Sequence, residues 1–389
     1  MKFYGPQQQS ALASFYGAEG AETFGALLRS LSAVLEEKVA PLSPGLDQGR
    51  GDVGTLRRVL FEQGLCRLPH PTEVGGLGVP FGVYALAMEL AGAADASSAM
   101  SLGIHNTVAD AVVRFGSAEQ RRRLLPALLA GKKLAAFALT EPSSGSDARS
   151  MRTTAVRDGK GYVIDGSKAF ITNAGEADVY LVFASTPPGH RAFLVEADNP
   201  GLRPGKDIKE KLGMRGSRTA EVGLSNCRVA EDSALGAEGG GFEMAKELLD
   251  ASRLVMGMVC VGIAGAATAK ALAYSKERAL FGSKLSDFQM TKEKLADAAI
   301  GTNAARLLCL HAARLKEAEM PFSSEAAQAK VFATESAVRT CDASIQLLGG
   351  YGYTTDDVHR HWRDARLLTI GEGASEVLRL LVASQELGR

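Results

Sequence analysis

The chain has 389 residues, with 44 basic and 44 acidic side chains, so its formal net charge at neutral pH is zero. Hydrophobic residues make up 46% and charged residues 23%, a composition that allows a large core and argues against wholesale disorder. The balanced charge argues against a nucleic-acid-binding protein or a membrane-surface protein, because both normally carry a basic excess. At roughly 100–200 residues per domain, the length predicts two or three structural units.

Cysteine spacing and hydropathy indicate the compartment. The five cysteines are scattered and form no C-x-x-C pair, so we expect reduced thiols, no disulfide framework and no metal site. The first residues contain no apolar run typical of a signal peptide. The longest uncharged apolar stretch, Leu254–Ala269, is shorter than the about 20 residues that span a bilayer. We therefore expect a soluble cytoplasmic protein, or a mitochondrial-matrix protein if the source is eukaryotic, although no transit peptide is visible.

Residues 1–133 have a helical pattern. From about Ala21, apolar residues recur at three- and four-residue steps, and a Gly/Pro loop follows at Pro71–Gly82. Ser117 and Gln120 resemble a capping box ahead of another helix. His105 lies in an apolar helical stretch, where a satisfied core or pocket-rim residue is a better interpretation than a catalyst.

The pattern changes to short runs near period two in residues 134–240. One pair of runs flanks Asp158-Gly159 and predicts a β-hairpin, and further runs predict additional strands. These features indicate a β domain or barrel. Long helical segments return in residues 241–389 and predict a bundle of antiparallel helices. The sequence thus predicts an α–β–α order.

Familiar nucleotide and metal motifs are missing. No G-x-G-x-x-G joins a strand to a helix, and the Ser167-Lys168 order reverses that of a P-loop. There is no H-E-x-x-H, and His359-x-His361 is a weak metal signal that surface or interface histidines explain better.

Two segments of the β region could bind a ligand. Phe137–Asp147, FALTEPSSGSD, crowds hydroxyls and a carboxylate around Pro142 and Gly145, which suits either flavin or phosphate recognition or an ordinary polar loop. In KAFITN, strand alternation predicts that Phe170 and Thr172 share one face. Such a pair could cover a flat ring and hydrogen-bond its edge, or it could be plain core packing.

Near the C-terminus, Glu372 stands between Gly371 and Gly373. The segment could be a charged turn before the last helix. Alternatively, the flanking glycines could let the carboxylate approach a substrate closely as a general base, with its pKa raised by apolar neighbours.

Six segments occur in this order and spacing in acyl-CoA dehydrogenases: FALTEPSSGSD, KAFITN, KLGMRGSRTAEVGLSNCRV, ERALFG, QLLGGYGY and HWRDARLLTIGEGASEV. The chain therefore resembles this family over nearly its whole length. The resemblance implies an α+β fold with an N-terminal helical domain (1–133), a middle β-barrel domain (134–240) and a C-terminal four-helix bundle (241–389). It also implies non-covalent FAD and oxidation of an acyl thioester between Cα and Cβ.

The resemblance also implies roles for particular residues. Glu372 corresponds to the catalytic base, and Ser252 stands where some relatives carry the base instead. Substrate contacts are implied for Ser146, Asp250, Arg253 and Gly373. FAD contacts are implied for Phe137, Leu139, Thr140, Ser146, Phe170, Ile171, Thr172, Arg278, Phe281, Gln289, Gln346, Gly349, Gly350, Ala374, Ser375 and Glu376.

Some of the FAD contacts in this family come from a neighbouring subunit, so the resemblance implies at least a dimer, and usually a tetramer. It also implies an acyl-CoA substrate and an electron-transfer flavoprotein as acceptor. A surface ion pair with Glu277 is the alternative role for Arg278. The chain departs from the family pattern at two positions: Gly371 replaces a bulky residue, which could widen the acyl pocket, and Ala374 replaces a Thr or Ser, so that a side-chain contact to FAD is lost.

Pocket residues are expected within Asp95–Val108, and short- to medium-chain or branched acyl groups are favoured. An acyl-CoA oxidase or a carrier-protein dehydrogenase on the same scaffold is the main alternative. A DNA-binding flavoprotein is disfavoured by the zero net charge. A glutaryl-type activity is disfavoured because this stretch offers only His105 as a cationic partner.

Overall fold

A computed structural model describes residues 2–388 and has the predicted α–β–α order. The N-terminal helices are α1 (Pro6–Lys38), α2 (Ser43–Asp47), α3 (Val53–Glu62), α4 (Phe81–Ala94), α5 (Ala96–Phe115) and α6 (Ala118–Leu129). The strands of the middle part are β1 (Ala135–Ala138), β2 (Thr154–Asp158), β3 (Gly161–Thr172), β4 (Val179–Thr186), β5 (Gly189–Glu196), β6 (Leu202–Pro204), β7 (Thr219–Ala230) and β8 (Ala234–Leu235). The C-terminal elements are α7 (Gly241–Glu277), the strands β9 (Ala279–Leu280) and β10 (Ser283–Lys284), α8 (Gln289–Glu317), α9 (Ser323–Leu348), α10 (Gly350–Thr354), α11 (Val358–Leu368) and α12 (Ser375–Glu386).

The N-terminal helices begin earlier than the periodicity predicts. Helix α1 starts at Pro6 and consists of two helical segments that meet at Gly17, whose φ of 71° lies outside the range of a right-handed helix. The predicted capping box of α6 is confirmed, because the Gln120 N–H donates to Ser117 Oγ at 3.1 Å and the Ser117 N–H donates to Gln120 Oε1 at 2.8 Å. His105 is a satisfied core residue, with its ring nitrogens 3.1 Å from the Leu128 carbonyl and from the Ala135 N–H.

The middle strands form one sheet in the order β6-β7-β3-β2-β4-β5-β8, with β1 parallel to β4. The predicted hairpin at Asp158-Gly159 is present, since β2 and β3 pair antiparallel with Asp158 opposite Gly161. The sheet is not a closed barrel among the described residues: its end strands, three and two residues long, pair with β7 and β5 but not with each other.

Helix α7 is the central element and packs against α4, α5, α8 and α9. A Cβ atom on Gly262 would lie 2.0 Å from the Glu89 carbonyl oxygen, and one on Gly92 would lie 2.6 Å from that of Val259, so α4 and α7 touch through their backbones. By length and composition α7 could cross a membrane, but 78% of its most apolar window is buried inside the protein. The apolar run therefore belongs to the core.

Candidate active site

The Glu372 loop joins α11 to α12 and has an unusual backbone. Glu372 and Gly373 have φ values of 60° and 100°, both in the left-handed region that a residue with a side chain rarely adopts. The Ser375 N–H donates to the Thr369 carbonyl at 3.1 Å and closes the loop. The Glu372 N–H donates to no group of the described residues. Strain of this kind is typical of functional sites.

Two buried cationic side chains, Arg253 and Lys330, bind the backbone carbonyls of this loop. Arg253 Nε donates to the Glu372 carbonyl at 3.1 Å, and Lys330 Nζ donates to the Gly373 carbonyl at 2.6 Å. Asp250 Oδ1 accepts from Arg253 Nη1 at 2.5 Å and fixes the guanidinium. Arg253 and Asp250 thus support the loop backbone. Sequence reasoning missed Lys330, because a lysine in a long helical segment gives no sign that its ammonium is buried.

The Glu372 carboxyl is set up to exchange a proton. Burial raises its pKa above the ordinary value, and the nearby Ser252 hydroxyl, Arg253 and Lys330 oppose that rise. Its Oε2 is buried and has no hydrogen-bond partner among the described residues, and the same is true of Ser252 Oγ. Burial also lowers the pKa of Lys330 to about 8. A carboxylate with a raised pKa and a free oxygen is suited to general-base work near neutral pH.

The FALTEPSSGSD loop is anchored by a buried ion pair. Lys168 Nζ, which is fully buried, donates to Glu141 Oε1 at 2.8 Å and to the Leu139 carbonyl at 3.1 Å. Glu141 also accepts from the N–H groups of Arg152 and Thr153, at 2.6 and 2.9 Å. Burial alone would raise the pKa of Glu141, but Lys168 and these neighbours lower it to about 2. The pair therefore joins the loop to the KAFITN strand.

The strand that carries Phe170 and Thr172 is irregular, so simple alternation does not describe it, and the shared face of the two residues stays a prediction. A bulge between Lys168 and Ile171 inserts one residue into β3 relative to β7, and Phe170 takes a φ of 57°. Phe170 is 70% exposed, whereas Thr172 is buried. A bulge changes the direction of the side chains that follow it, which period-two reasoning cannot foresee.

The remaining loop residues surround these two segments. Leu139 and Ile171 are buried, Phe137 packs against Phe183 with ring centroids 5.0 Å apart, and Ser146 is exposed. The hydroxyls of Thr140 and Thr172 have no hydrogen-bond partner among the described residues. An exposed aromatic ring and two free hydroxyls fit the face and edge of a flavin ring.

The other predicted FAD contacts lie on the β9–β10 hairpin, at the ends of α8 and α9, and directly after Glu372 and Gly373 at the start of α12. Phe281 occupies the tip of the β9–β10 hairpin at φ 51° and is 92% exposed. Arg278 is exposed and makes no ion pair with Glu277 or any other described residue. Five other residues predicted to contact FAD are also exposed: Gln289 at the start of α8, Gln346, Gly349 and Gly350 at the end of α9, and Glu376 at the start of α12. Of the remaining two, Ala374 is half-buried and Ser375 is buried.

A cavity of about 440 Å³ adjoins the site at Ser252. It lies between α5 and α7, beneath the loop that precedes α4, and opens beside the end of α8. Three of its lining residues, Gly103, Asn106 and Thr107, fall within the predicted stretch Asp95–Val108. A buried carboxyl, an exposed aromatic ring with two free hydroxyls and an adjoining cavity together suit a flavin-dependent dehydrogenase.

Comparisons with known proteins identify the family. The family descriptions acyl-CoA dehydrogenase N-terminal, middle and C-terminal domain match residues 22–132, 136–227 and 239–387. The chain belongs to the acyl-CoA dehydrogenase family, whose members are FAD-dependent oxidoreductases.

Individual relatives match over most of their length. The chain is 39% identical over 376 residues to the mitochondrial short-chain specific acyl-CoA dehydrogenase of Homo sapiens, covering 95% of this chain and 91% of the relative. Butyryl-CoA dehydrogenase from Megasphaera elsdenii superposes with a TM-score of 0.91 at 36% identity, covering 94% of this chain and 98% of that one. A chain from a study of the electron transferring flavoprotein of Acidaminococcus fermentans superposes equally well, at 37% identity and the same coverage.

Proposed function

We propose that the protein oxidises a short- to medium-chain acyl-CoA to the trans-2-enoyl-CoA, with Glu372 as the base that removes the α-proton. The observation that carries this role is the buried, unpartnered Oε2 of Glu372, combined with its raised pKa. The loop that presents the carboxylate is held by Arg253 and Lys330 through its backbone, so the side chain stays free. The short-chain and butyryl-CoA relatives support the substrate size.

The chain's own groups provide the rest of the machinery. The Glu372 N–H, which lacks a partner, is available to bind the thioester carbonyl and to stabilise the charge that develops there as the α-proton leaves. Thr140, Thr172 and Phe170 would hold the flavin ring. Bound FAD supplies the acceptor for the hydride from the β-carbon. The substrate thus loses its α-proton to the Glu372 carboxylate and a hydride from the β-carbon, and the Cα=Cβ double bond replaces the two C–H bonds that break.

We also propose at least a dimer, with a tetramer as the expected form, and an electron-transfer flavoprotein as acceptor. The exposed Phe281 and Arg278 support FAD sites shared between subunits, because neither side chain has a partner within residues 2–388. The relative from the electron transferring flavoprotein study supports the acceptor. The five buried, unpaired cysteines suit a reducing compartment, such as the cytoplasm or a mitochondrial matrix.

An anaerobic titration tests the proposed reaction. We expect butyryl-CoA to bleach the oxidised flavin band of the parent protein, and Glu372→Gln to keep FAD and bind substrate while losing turnover by about 10²–10⁴-fold or more. Glu386→Gln, on the exposed end of α12, is the matched control. Retained turnover in Glu372→Gln would disprove the role of the base, and a parent flavin that no acyl-CoA bleaches would disprove the reaction.

A further inference from the structure

The cavity beside Ser252 is larger than a plain butyryl chain requires. At about 30 Å³ per water in the liquid, its volume of about 440 Å³ holds on the order of ten water-sized groups, whereas butyryl has one methyl group beyond Cβ. Helices α5 and α7 meet at Gly103, where a Cβ would lie 2.4 Å from Met256 Cε. From there the cavity follows α5 to Asp110, over seven residues or about 10 Å of helix.

Two buried polar groups in the lining have atoms without partners. Asn106 is 4% exposed; its Nδ2 donates to the Tyr84 hydroxyl at 2.8 Å and to the Leu65 carbonyl at 3.2 Å, which leaves Oδ1 with no partner among the described residues. His70 is buried, and its Nε2 has no partner either. Burial lowers the pKa of His70, which favours the neutral ring. Folded proteins rarely leave such atoms unpaired, so these await a ligand group or water.

The charges around the cavity restrict what that ligand group can be. Asp110, Glu317 and Glu319 line it together with a single basic residue, Lys316. Arg114 pairs with Asp110 at 3.7 Å and Arg314 pairs with Glu317 at 2.5 Å, so these two acids are partly compensated from outside the lining. The excess of acceptor oxygens, with Oδ1 of Asn106 among them, still disfavours a distal carboxylate and favours a hydrogen-bond donor.

We propose that the acyl group of the substrate carries a hydrogen-bond donor, a hydroxyl or an amine, beyond its β-carbon, and that Asn106 and Asp110 recognise it. This proposal rests on the proposed function and specifies its substrate class. Ser252 connects the two parts of the site, since it lies beside Glu372 and lines the cavity. The acyl chain therefore passes Ser252 and places its polar end between α5 and the loop that carries His70.

The test compares six-carbon substrates of the FAD-loaded enzyme. The probes are hexanoyl-CoA, 6-hydroxyhexanoyl-CoA, 6-aminohexanoyl-CoA and adipyl-CoA, and kcat/KM is measured for each. We expect the hydroxy or amino compound to exceed hexanoyl-CoA by about tenfold, a discrimination that one buried hydrogen bond can supply, with adipyl-CoA the poorest substrate. A parent enzyme that prefers hexanoyl-CoA to both donor-bearing compounds would overturn the proposal.

Variants separate recognition from general damage. Asn106→Leu should lower the ratio of the 6-hydroxyhexanoyl to the hexanoyl kcat/KM by about tenfold, whereas Thr302→Val, which alters a buried unpaired hydroxyl on α8, should leave it unchanged. Asp110→Asn, at a partly exposed position, provides a second test if Asn106→Leu does not fold. It should lower the ratio of the 6-aminohexanoyl to the hexanoyl kcat/KM. Unchanged ratios in the folded variants would overturn the proposal.

Two failures can be told apart. Turnover of butyryl-CoA without any gain from the donor refutes the substrate class alone, whereas no turnover of any thioester refutes the proposed function on which it rests.

Discussion

Replacing Lys168 with methionine should uncouple the two segments that carry the flavin-binding residues. The ammonium is fully buried and makes two contacts, with Glu141 Oε1 at 2.8 Å and with the Leu139 carbonyl at 3.1 Å. Methionine has a similar length but offers neither contact. Glu141 then keeps only its two backbone N–H partners, in a setting where burial opposes its charge.

The size of the effect follows from this geometry. Removing one partner of a buried ion pair typically costs about 3–5 kcal/mol, because the remaining charge is left without compensation. We expect Lys168→Met to lose about that much unfolding free energy in urea and to retain less FAD per chain. Because Glu141 has a pKa of about 2 with its partner present, this stabilisation holds above the ordinary carboxyl pKa of 4.5 and disappears as the pH falls toward 2.

The double variant and a control decide the interpretation. Lys168→Met combined with Glu141→Gln removes the uncompensated charge and should recover part of the loss. Lys160→Met, in the exposed β2–β3 turn, should change neither stability nor FAD content. If Lys168→Met binds FAD and unfolds like the parent, the ion pair does not join the two segments and the reasoning fails.

Three further outcomes are expected. The kcat/KM profile should lose activity on the acid side with a midpoint above 4.5, because a base must be ionised and burial raises the pKa of Glu372; a midpoint at or below 4.5 would contradict the stated environment. Lys330→Met should move that midpoint to higher pH, because the ammonium favours the ionised carboxylate, and an unmoved midpoint would show that Lys330 acts only on the backbone. Arg278→Met and Phe281→Ala should lower the FAD absorbance per chain, with little change in the unfolding of the single chain, since both side chains are exposed; full FAD content would refute their proposed role.

Local patterns predicted much of the architecture. The change of period near residues 134 and 240, the hairpin at Asp158-Gly159 and the cap of α6 depend on neighbours in sequence, and each appears in the structure. The periodicity does not reveal the first part of α1, because Gly17 interrupts it. The open ends of the sheet could not be foreseen, because strand closure depends on partners distant in sequence.

The site was less predictable than the fold. Glu372 stands out because of its flanking glycines, but its left-handed backbone and its support by Arg253 and Lys330 come from contacts across 119 and 43 residues of sequence. The bulge at Phe170 could not be located from KAFITN, because three successive apolar residues do not show where the strand gains a residue relative to its partner. His105 is satisfied in the core as the sequence indicates, but no local pattern shows that His70 lines the cavity.

The backbone contact between α4 and α7 determines how this enzyme could change its substrate. Where Gly92 and Gly262 let two helices touch, the helices cannot move closer, and any added side chain would force them apart together with the loop that carries Glu372. The spacing of α4 and α7, which both contribute residues to the cavity lining, is therefore fixed at that point. Adaptation to a new acyl group is thus left to the side chains that line the cavity, on α5, on the loop before α4 and on the facing parts of α4 and α7, where substitutions can reshape it without moving the helices.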